Sequence, residues 1–519
     1  MTGAGVRVGF VFDDNKTTPR GFSAPVMNAK PRIADPLLDD AAPDEVSVEM
    51  QGPGYTPLRP RRMSLMTHTL ARAAKTGTAF PSFANVPDFP ITTFFFMDEA
   101  PNDADLIETL KKVMSFDRLR CVVMGEKTFE WEAVADMEQK LASHVTRAQV
   151  SSELELRAKM DALILEPLDA SRPLWDVTVV TLAPGATWTD SPGGPGRKPP
   201  MVCVRLSHTI GDGISLVNVL NEACVSEDGS PVRTVNFQRR PNPKVWDWST
   251  LSPVNILTQI ANLIWYILKC IYAVLRALVT PFGPHDSKTV FCDTKTKVVY
   301  SGKRTLVTCP SFKLADIREV KTQMGCTVND VVCACLAGAL HKYQVHRGDP
   351  AADRRPLVRA AVPYAFPRKN PAELTNSWTF VSLPFFLGPM DIKDRLAKTK
   401  RRCDDMKRSP EAHVIAGINT VAGKLLGAKF QSQTIYDFMS RHSMVFTNVP
   451  GPTAPVVLFG QKVKDFLFGM GNLVNQVSVI SYDGVMTLSL VVDLDAVPDA
   501  HIIGKFFQEE LENLCAKLL

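Results

Sequence analysis

Along this chain the apolar positions switch between two periods. In "MVCVRLS", Val202, Val204 and Leu206 alternate with Cys203, Arg205 and Ser207, which predicts a strand with one apolar face over 201–207. "PLWDVTVVTLAP" (173–184) reads as its partner. The stretch between them, "GATWTDSPGGPGRK", is too rich in Gly and Pro for regular structure, so the pair forms a hairpin with a long loop. Helical spacing marks 104–114 and "ISLVNVLNEA". From "ITTFFFMDE" (91–99) onward, strand-like and helix-like stretches alternate, which is the pattern of an α/β protein. "FKLADIREVKTQMGCTVNDVVCACLAGALHKYQ" predicts two consecutive helices, the second starting near Thr327 or Asn329. The chain ends in two strands joined at Asp483-Gly484, then an amphipathic helix starting near Asp499.

One segment departs from both patterns. Ser252 can cap a helix, Pro253 suits its first turn and Pro281 stops it after about 28 residues, or about 40 Å. Between Trp248 and Leu268 no residue is charged, so a membrane span is one reading. Asn255, Gln259, Asn262, Tyr266, Lys269 and Arg276 recur along one side, and such a polar stripe favours a helix lying in a membrane interface. The third reading packs the apolar face on the protein's own core.

A length of 519 residues exceeds one comfortable core and predicts two or more domains. Residues 1–55, rich in Pro, Asp and small polar residues, read as a mobile leader. An N-terminal domain follows over 56–245, a crossover carrying the long helix over 246–300, and a C-terminal domain over 301–519. Hydrophobic content of 45% with 22% charge is ordinary for a folded protein. The net charge of +5 is a mild bias toward anionic partners and far short of a nucleic-acid signature, so no nucleic-acid partner is expected. Eleven cysteines without a CxxC pair fit a reducing compartment, and the opening "MTGAGVRVGFVFDDNK" is too polar for a signal-peptide core.

The candidate chemistry lies in "RLSHTIGDGISL". Of nine histidines only His208 has an aspartate four residues on, Asp212, and it follows the 201–207 strand directly. A strand end could hold a neutral imidazole rigidly as a general base, and Gly211 and Gly213 would allow a tight turn after it. By itself H-x-x-x-D equally describes a surface turn histidine.

"SHTIGDG" resembles the HHxxxDG motif of the bifunctional wax ester synthase/diacylglycerol acyltransferase family, within the wider CoA-dependent acyltransferases. Further stretches match in order: "SRPLWDVTVV" the PLW strand, "TVNDVV" the ND motif, "TNSWTFVSLPF" the Gly-Asn strand segment, and "TNVPGP" the NVPGP turn. The closing hairpin matches too, so the likeness covers most of the chain from about residue 90.

The resemblance implies an α/β fold of two chloramphenicol-acetyltransferase-like domains with a channel between them. It implies His208 as general base, Asp212 as an orienting, structural aspartate and Gly213 as part of the catalytic motif. Arg118 is the candidate ion-pair partner of Asp212. Asn329 and Asp330 either help form the site or cap a helix, and Asn448 to Pro452 shape a turn at the domain interface. Ser207 stands where the family has its first histidine, and Thr375-Asn376 where it has Gly-Asn, so Ser207 and Asn376 are candidate site-forming residues. Acyl-CoA enters as co-substrate, with a long-chain alcohol or diacylglycerol as acceptor; no resident cofactor and no metal are expected. The 252–280 helix would meet a membrane surface, placing the protein on the cytoplasmic face of an endoplasmic-reticulum-like membrane or a lipid droplet. The function expected is acyl-CoA-dependent formation of wax ester or triacylglycerol. The alternatives are a non-catalytic, membrane-associated acyl-CoA or lipid-binding relative and an acyltransferase for soluble alcohols.

Overall fold

A computed structural model describes residues 61–80, 84–125, 129–188, 197–232, 253–279, 283–292, 301–368 and 373–518. The leader over 1–55, the Ser252 cap and most of the loop after Trp188 lie outside the described residues. Pro57–Leu519 forms one unit by its internal contacts.

The predicted hairpin forms. Trp175–Leu182 pairs antiparallel with Met201–Leu206, which pairs in turn with Ile91–Met97. These strands centre a seven-stranded sheet ordered Val225–Ser226, Val456–Leu458, Gln461–Gly469, Ile91–Met97, Met201–Leu206, Trp175–Leu182, Val145–Val150. A second sheet runs Arg304–Thr308, Val485–Asp493, Asn475–Tyr482, Met444–Pro450, Val358–Ala365, Trp378–Phe385.

The Met201–Leu206 strand is buried on both faces, not one. Met201 and Cys203 join a cluster with Leu156, Leu163 and Ile164 of the Glu153–Leu165 helix, while Val202 and Leu206 join another with Trp175 and Phe466. Arg205 is tolerated inside because Asp176 accepts from its Nε at 2.8 Å and Nη2 at 2.6 Å, and the Leu163 and Glu166 carbonyls accept from Nη1. A buried cation needs such full pairing.

The boundary at residue 301 does not separate the sheets. Gln461–Gly469 pairs with Ile91–Met97, so the C-terminal half lends strands to the first sheet. The "NVPGP" stretch straddles this crossing: Asn448 to Pro450 finish a strand of the second sheet, and the next strand, Val456–Leu458, lies in the first.

The second sheet packs around the Val328–His346 helix, thirteen of whose residues are buried. Thr327 caps it through a capping box: the Asp330 backbone N–H donates to Thr327 Oγ1 and the Thr327 N–H to Asp330 Oδ2. The last two strands turn at Asp483-Gly484, both with positive φ, and the closing helix spans His501–Leu518.

The long helix spans Pro253–Val279, and its apolar face is not covered by core: Leu257, Trp265, Tyr272 and Leu275 are 71%, 60%, 65% and 57% exposed. What turns inward is part of the supposed water side. Gln259 is 9% exposed, Ala273 2%, and Arg276 Nη1 lies 3.4 Å from Glu411 Oε2 on the adjacent Glu411–Met439 helix. Core packing of the apolar face is thus not what the described residues show.

Candidate active site

His208 follows the Met201–Leu206 strand in a turn held at every step. The Ser207 N–H donates to the Leu174 carbonyl at 2.9 Å, and Ser207 Oγ accepts from the Thr209 N–H at 3.1 Å. Arg118 Nη1 donates to the Thr209 and Ile210 carbonyls at 3.3 and 3.1 Å, and its guanidinium lies 5.4 Å from the centre of the Trp131 ring. From the other sheet, Asn376 Nδ2 donates to the His208 carbonyl at 2.8 Å.

Asp212 is the N-cap of the Gly213–Ala223 helix, accepting from the Ser215 N–H at 3.2 Å on Oδ1; its Oδ2 accepts from the Ser377 N–H at 3.0 Å. Its ion-pair partner is Arg368, not Arg118. Arg368 Nη2 donates to Asp212 Oδ1, and Nη1 donates to Ser215 Oγ at 2.7 Å. Arg118, in the short 3-10 helix Asp117–Arg120, donates to backbone carbonyls of the histidine turn and braces it instead.

Neither glycine of "GDG" has positive φ. Gly211 is small for a steric reason, since a Cβ there would stand 2.6 Å from the Ser215 Cβ; at Gly213 a Cβ would meet nothing within 4 Å. Gly213 opens the helix and faces the cavity, and the expected need for its backbone freedom is not observed.

The turn opens into a cavity of about 1750 Å³ walled by both sheets. Ile91, Thr93, Val204 and Leu206 line it from the first sheet, and Val362, Trp378, Phe380 and Val445 from the second. His208 lines it too, 6.1 Å from Trp378 between ring centres. His208 Nδ1 is buried, and the residue lines the cavity. Burial pushes the His208 pKa down to about 4, against the opposing pull of Asp212 and the Gly211 backbone, so the ring is neutral at pH 7.

The remaining sequence candidates divide. Asn329 and Asp330 both line the cavity, but Asp330 is committed to the capping box, while Asn329 Oδ1 accepts from Asn448 Nδ2 across the cavity wall. Ser207 is buried in its turn and does not face the cavity. Thr375 bonds Ser215 Oγ through both N–H and C=O, which ties the two halves together. Sequence reasoning missed Arg368, Ser215 and Trp378; Arg368 lies 156 positions from Asp212, and no local spacing signals such a pairing. Among the described residues no group of three or more His, Cys, Asp or Glu is placed to hold a metal.

Two sheets sharing a cavity, with a histidine turn at their seam, define a chloramphenicol-acetyltransferase-like fold. Among solved structures the chain is similar to the wax ester synthase/diacylglycerol acyltransferase of Marinobacter aquaeolei VT8, at 17% identity and a TM-score of 0.50 over 83% of this chain and 94% of that one. It is also similar to the starter condensation domain of rhizomide synthetase crystallised with C8-CoA and Leu-SNAC, at 10% identity and a TM-score of 0.54 over 88% and 95%. Residues 99–332 match the wax ester synthase/diacylglycerol acyltransferase catalytic domain and 374–515 the WS/DGAT C-terminal domain, so the chain belongs to the WS/DGAT family of acyltransferases. Wax ester synthase/diacylglycerol acyltransferase 2 of Arabidopsis thaliana is 23% identical over 380 residues, 68% of this chain and 74% of that protein.

Proposed function

We propose that the chain transfers an acyl group from acyl-CoA to the hydroxyl of a lipophilic alcohol, forming a neutral lipid, wax ester or triacylglycerol. One observation carries the reading: a half-buried imidazole, neutral at pH 7, lines a large cavity whose walls are mainly apolar. His208 Nε2 takes the proton as the acceptor oxygen attacks the thioester carbonyl. The tetrahedral intermediate then collapses, the C–S bond breaks, and the imidazolium returns the proton to the departing CoA thiolate. Asp212 and Arg368 act on the turn and not on substrate. The C8-CoA of the rhizomide synthetase domain supports an acyl-CoA donor in this fold.

A lipid surface is the proposed source of acceptor. The Glu411–Met439 helix lines the cavity through Ser432, Ile435 and Met439, and the Pro253–Val279 helix packs against it with its apolar side outward. Leu425 and Leu426, 78% and 59% exposed, extend that apolar surface onto the cavity-lining helix. Such a face suits insertion at a membrane interface or lipid droplet on the cytoplasmic side. The test is thiol release from oleoyl-CoA by full-length protein. It should require an added lipophilic alcohol and be lost in His208→Ala; release that persists unchanged in that variant would remove His208 from the chemistry.

A further inference from the structure

The cavity lining includes a carboxyl, Asp88, that has no part in the Asp212–Arg368 pair. Ile91 pairs with Leu206 as the last rung between their strands, and the strands run antiparallel. Continuing that register by two residues sets Phe89 opposite His208 and brings Asp88 level with the turn. Residues 91, 93, 204, 206 and 208 line the cavity, as do Asp88 and Phe89.

Asp88 is held there by its backbone. Its N–H donates to the Gly77 carbonyl at 3.0 Å, just after the Ala84–Pro87 strand. Its neighbours Val86 and Phe89 belong to an apolar cluster with Phe80, Val445 and Leu473, and a Cβ on Gly471 would stand 2.4 Å from the Phe89 ring. The wall here is therefore greasy and tight. Nearby Asn472 and Gln476 are engaged, Asn472 Nδ2 donating to Gln476 Oε1 at 3.2 Å and the Leu473 N–H to Asn472 Oδ1 at 2.9 Å. Among the described residues no side chain bonds the Asp88 carboxyl. Burial alone pushes its pKa up to about 7, so near neutrality a large share is a protonated carboxyl, able to donate as well as accept.

A carboxyl facing only the methylenes of a bound substrate would be left without a hydrogen-bond partner, which is unfavourable. A simple long-chain alcohol carries nothing but methylenes beside its hydroxyl. A partial glyceride carries ester oxygens a few bonds away. We propose that Asp88 is a specificity-determining residue that hydrogen-bonds an ester oxygen of a diacylglycerol acceptor, so that this site favours a glyceride over a plain long-chain alcohol. The inference rests on the acyl-transfer reading above. It adds a recognition contact to a reaction that His208 alone would perform on either acceptor.

The test compares kcat/KM for dioleoylglycerol and for hexadecanol, presented in the same detergent micelles with oleoyl-CoA, in full-length wild type, Asp88→Leu and the near-isosteric Asp88→Asn. Expected is a roughly tenfold or greater loss on dioleoylglycerol in Asp88→Leu, with hexadecanol unchanged or improved, because one unmet buried hydrogen bond is worth about that factor. Asp88→Asn, which keeps a donor and an acceptor, should retain most of the dioleoylglycerol rate. A parallel fall on both acceptors in Asp88→Asn, or an unchanged ratio in both variants, overturns the assignment and leaves the acyl-transfer reading standing. Wild-type protein that turns over neither acceptor overturns that reading and the assignment with it.

Discussion

Arg368 and Asp212, 156 residues apart, form an ion pair whose side chains are only 7% and 6% exposed, and Arg368 also donates to Ser215 Oγ at 2.7 Å. Arg368 precedes the Trp378–Phe385 strand of the second sheet; Asp212 caps the helix that follows the histidine of the first. The pair therefore joins the two halves at the point where the candidate base is presented.

Removing one partner of such a pair strands a buried charge, at about 3–5 kcal/mol. Arg368→Met should lower the unfolding free energy from denaturant titration by that much. A double-mutant cycle of Arg368→Met with Asp212→Asn should show a coupling of about 2–3 kcal/mol, against less than about 0.5 kcal/mol for Arg118→Met with Asp212→Asn. A larger coupling to Arg118 would reverse the correction made above. On the proposed role of the pair in shaping the turn, Arg368→Met should lower kcat more than it raises KM.

The acid side of the pH profile follows from His208. Its pKa is depressed from 6.5 to about 4, so the neutral, proton-accepting form persists from high pH down to about 4. The His208 contribution to kcat/KM should therefore be level between about pH 5.5 and 7.5 and fall only toward pH 4; a limb near 6.5 would place the ring in water. Stability follows the same sign. The unfolded chain binds this proton at 6.5 and the folded chain only near 4, so the stabilisation is whole above 6.5 and is lost as pH falls through that window. His442, whose burial brings its pKa down to about 3, adds to the loss in the same direction and extends it to lower pH. Asp88, whose pKa burial raises from 3.8 to about 7, acts in the opposite direction over the same window, so the histidine contributions are read by difference: relative to wild type, His208→Gln and His442→Gln should each lose less stability between pH 6.5 and 4.

Ser207 supplies a sharper check on the motif. Its side chain satisfies the Thr209 N–H inside the turn and lies off the cavity, so a histidine's role in contacting substrate has no counterpart here. Ser207→Ala should lower stability by about 1 kcal/mol, one buried hydrogen bond, with kcat/KM within about twofold of wild type. Ser207→His would force an imidazole into a site only 3% exposed and should destabilise more than Ser207→Ala does, without raising the rate. A rate gain in Ser207→His would show that this position does reach substrate.

These contrasts mark what the sequence could carry. Local signals were readable because they act over a few residues: the strand before Ser207, the Thr327 cap and the Asp483-Gly484 turn all appear where read. Contacts made across the fold were not. Arg205 looked like a solvent-facing position of an alternating strand, and only the Glu153–Leu165 helix lying over it, with Asp176 on the neighbouring strand, explains its burial. Arg118 was the candidate partner of Asp212, whereas the arginine that pairs with it, Arg368, lies beyond the crossover. The boundary at residue 301 failed for a similar reason, since Gln461–Gly469 returns to the first sheet through a pairing that no periodicity reports. The long helix was correctly placed, but its polar stripe was assigned to water when Gln259 and Arg276 turn toward a second helix.

That reversal makes the proposed lipid contact testable without disturbing the fold. Trp265 and Leu275, 60% and 57% exposed, lie on the outward side of the Pro253–Val279 helix, whereas Ala273 on the inward side is 2% exposed. Trp265→Glu and Leu275→Glu should each change folding stability by no more than about 0.5 kcal/mol, as exposed positions do. Together they should sharply reduce co-flotation of the protein with phosphatidylcholine vesicles, since a carboxylate at an apolar interface is strongly disfavoured. Ala273→Glu should instead lower the melting temperature, because it places a charge against the Glu411–Met439 helix. If both outward substitutions leave flotation intact while Ala273→Glu abolishes it, the surface that meets lipid is not this helix face, and acceptor must reach His208 by another wall of the cavity.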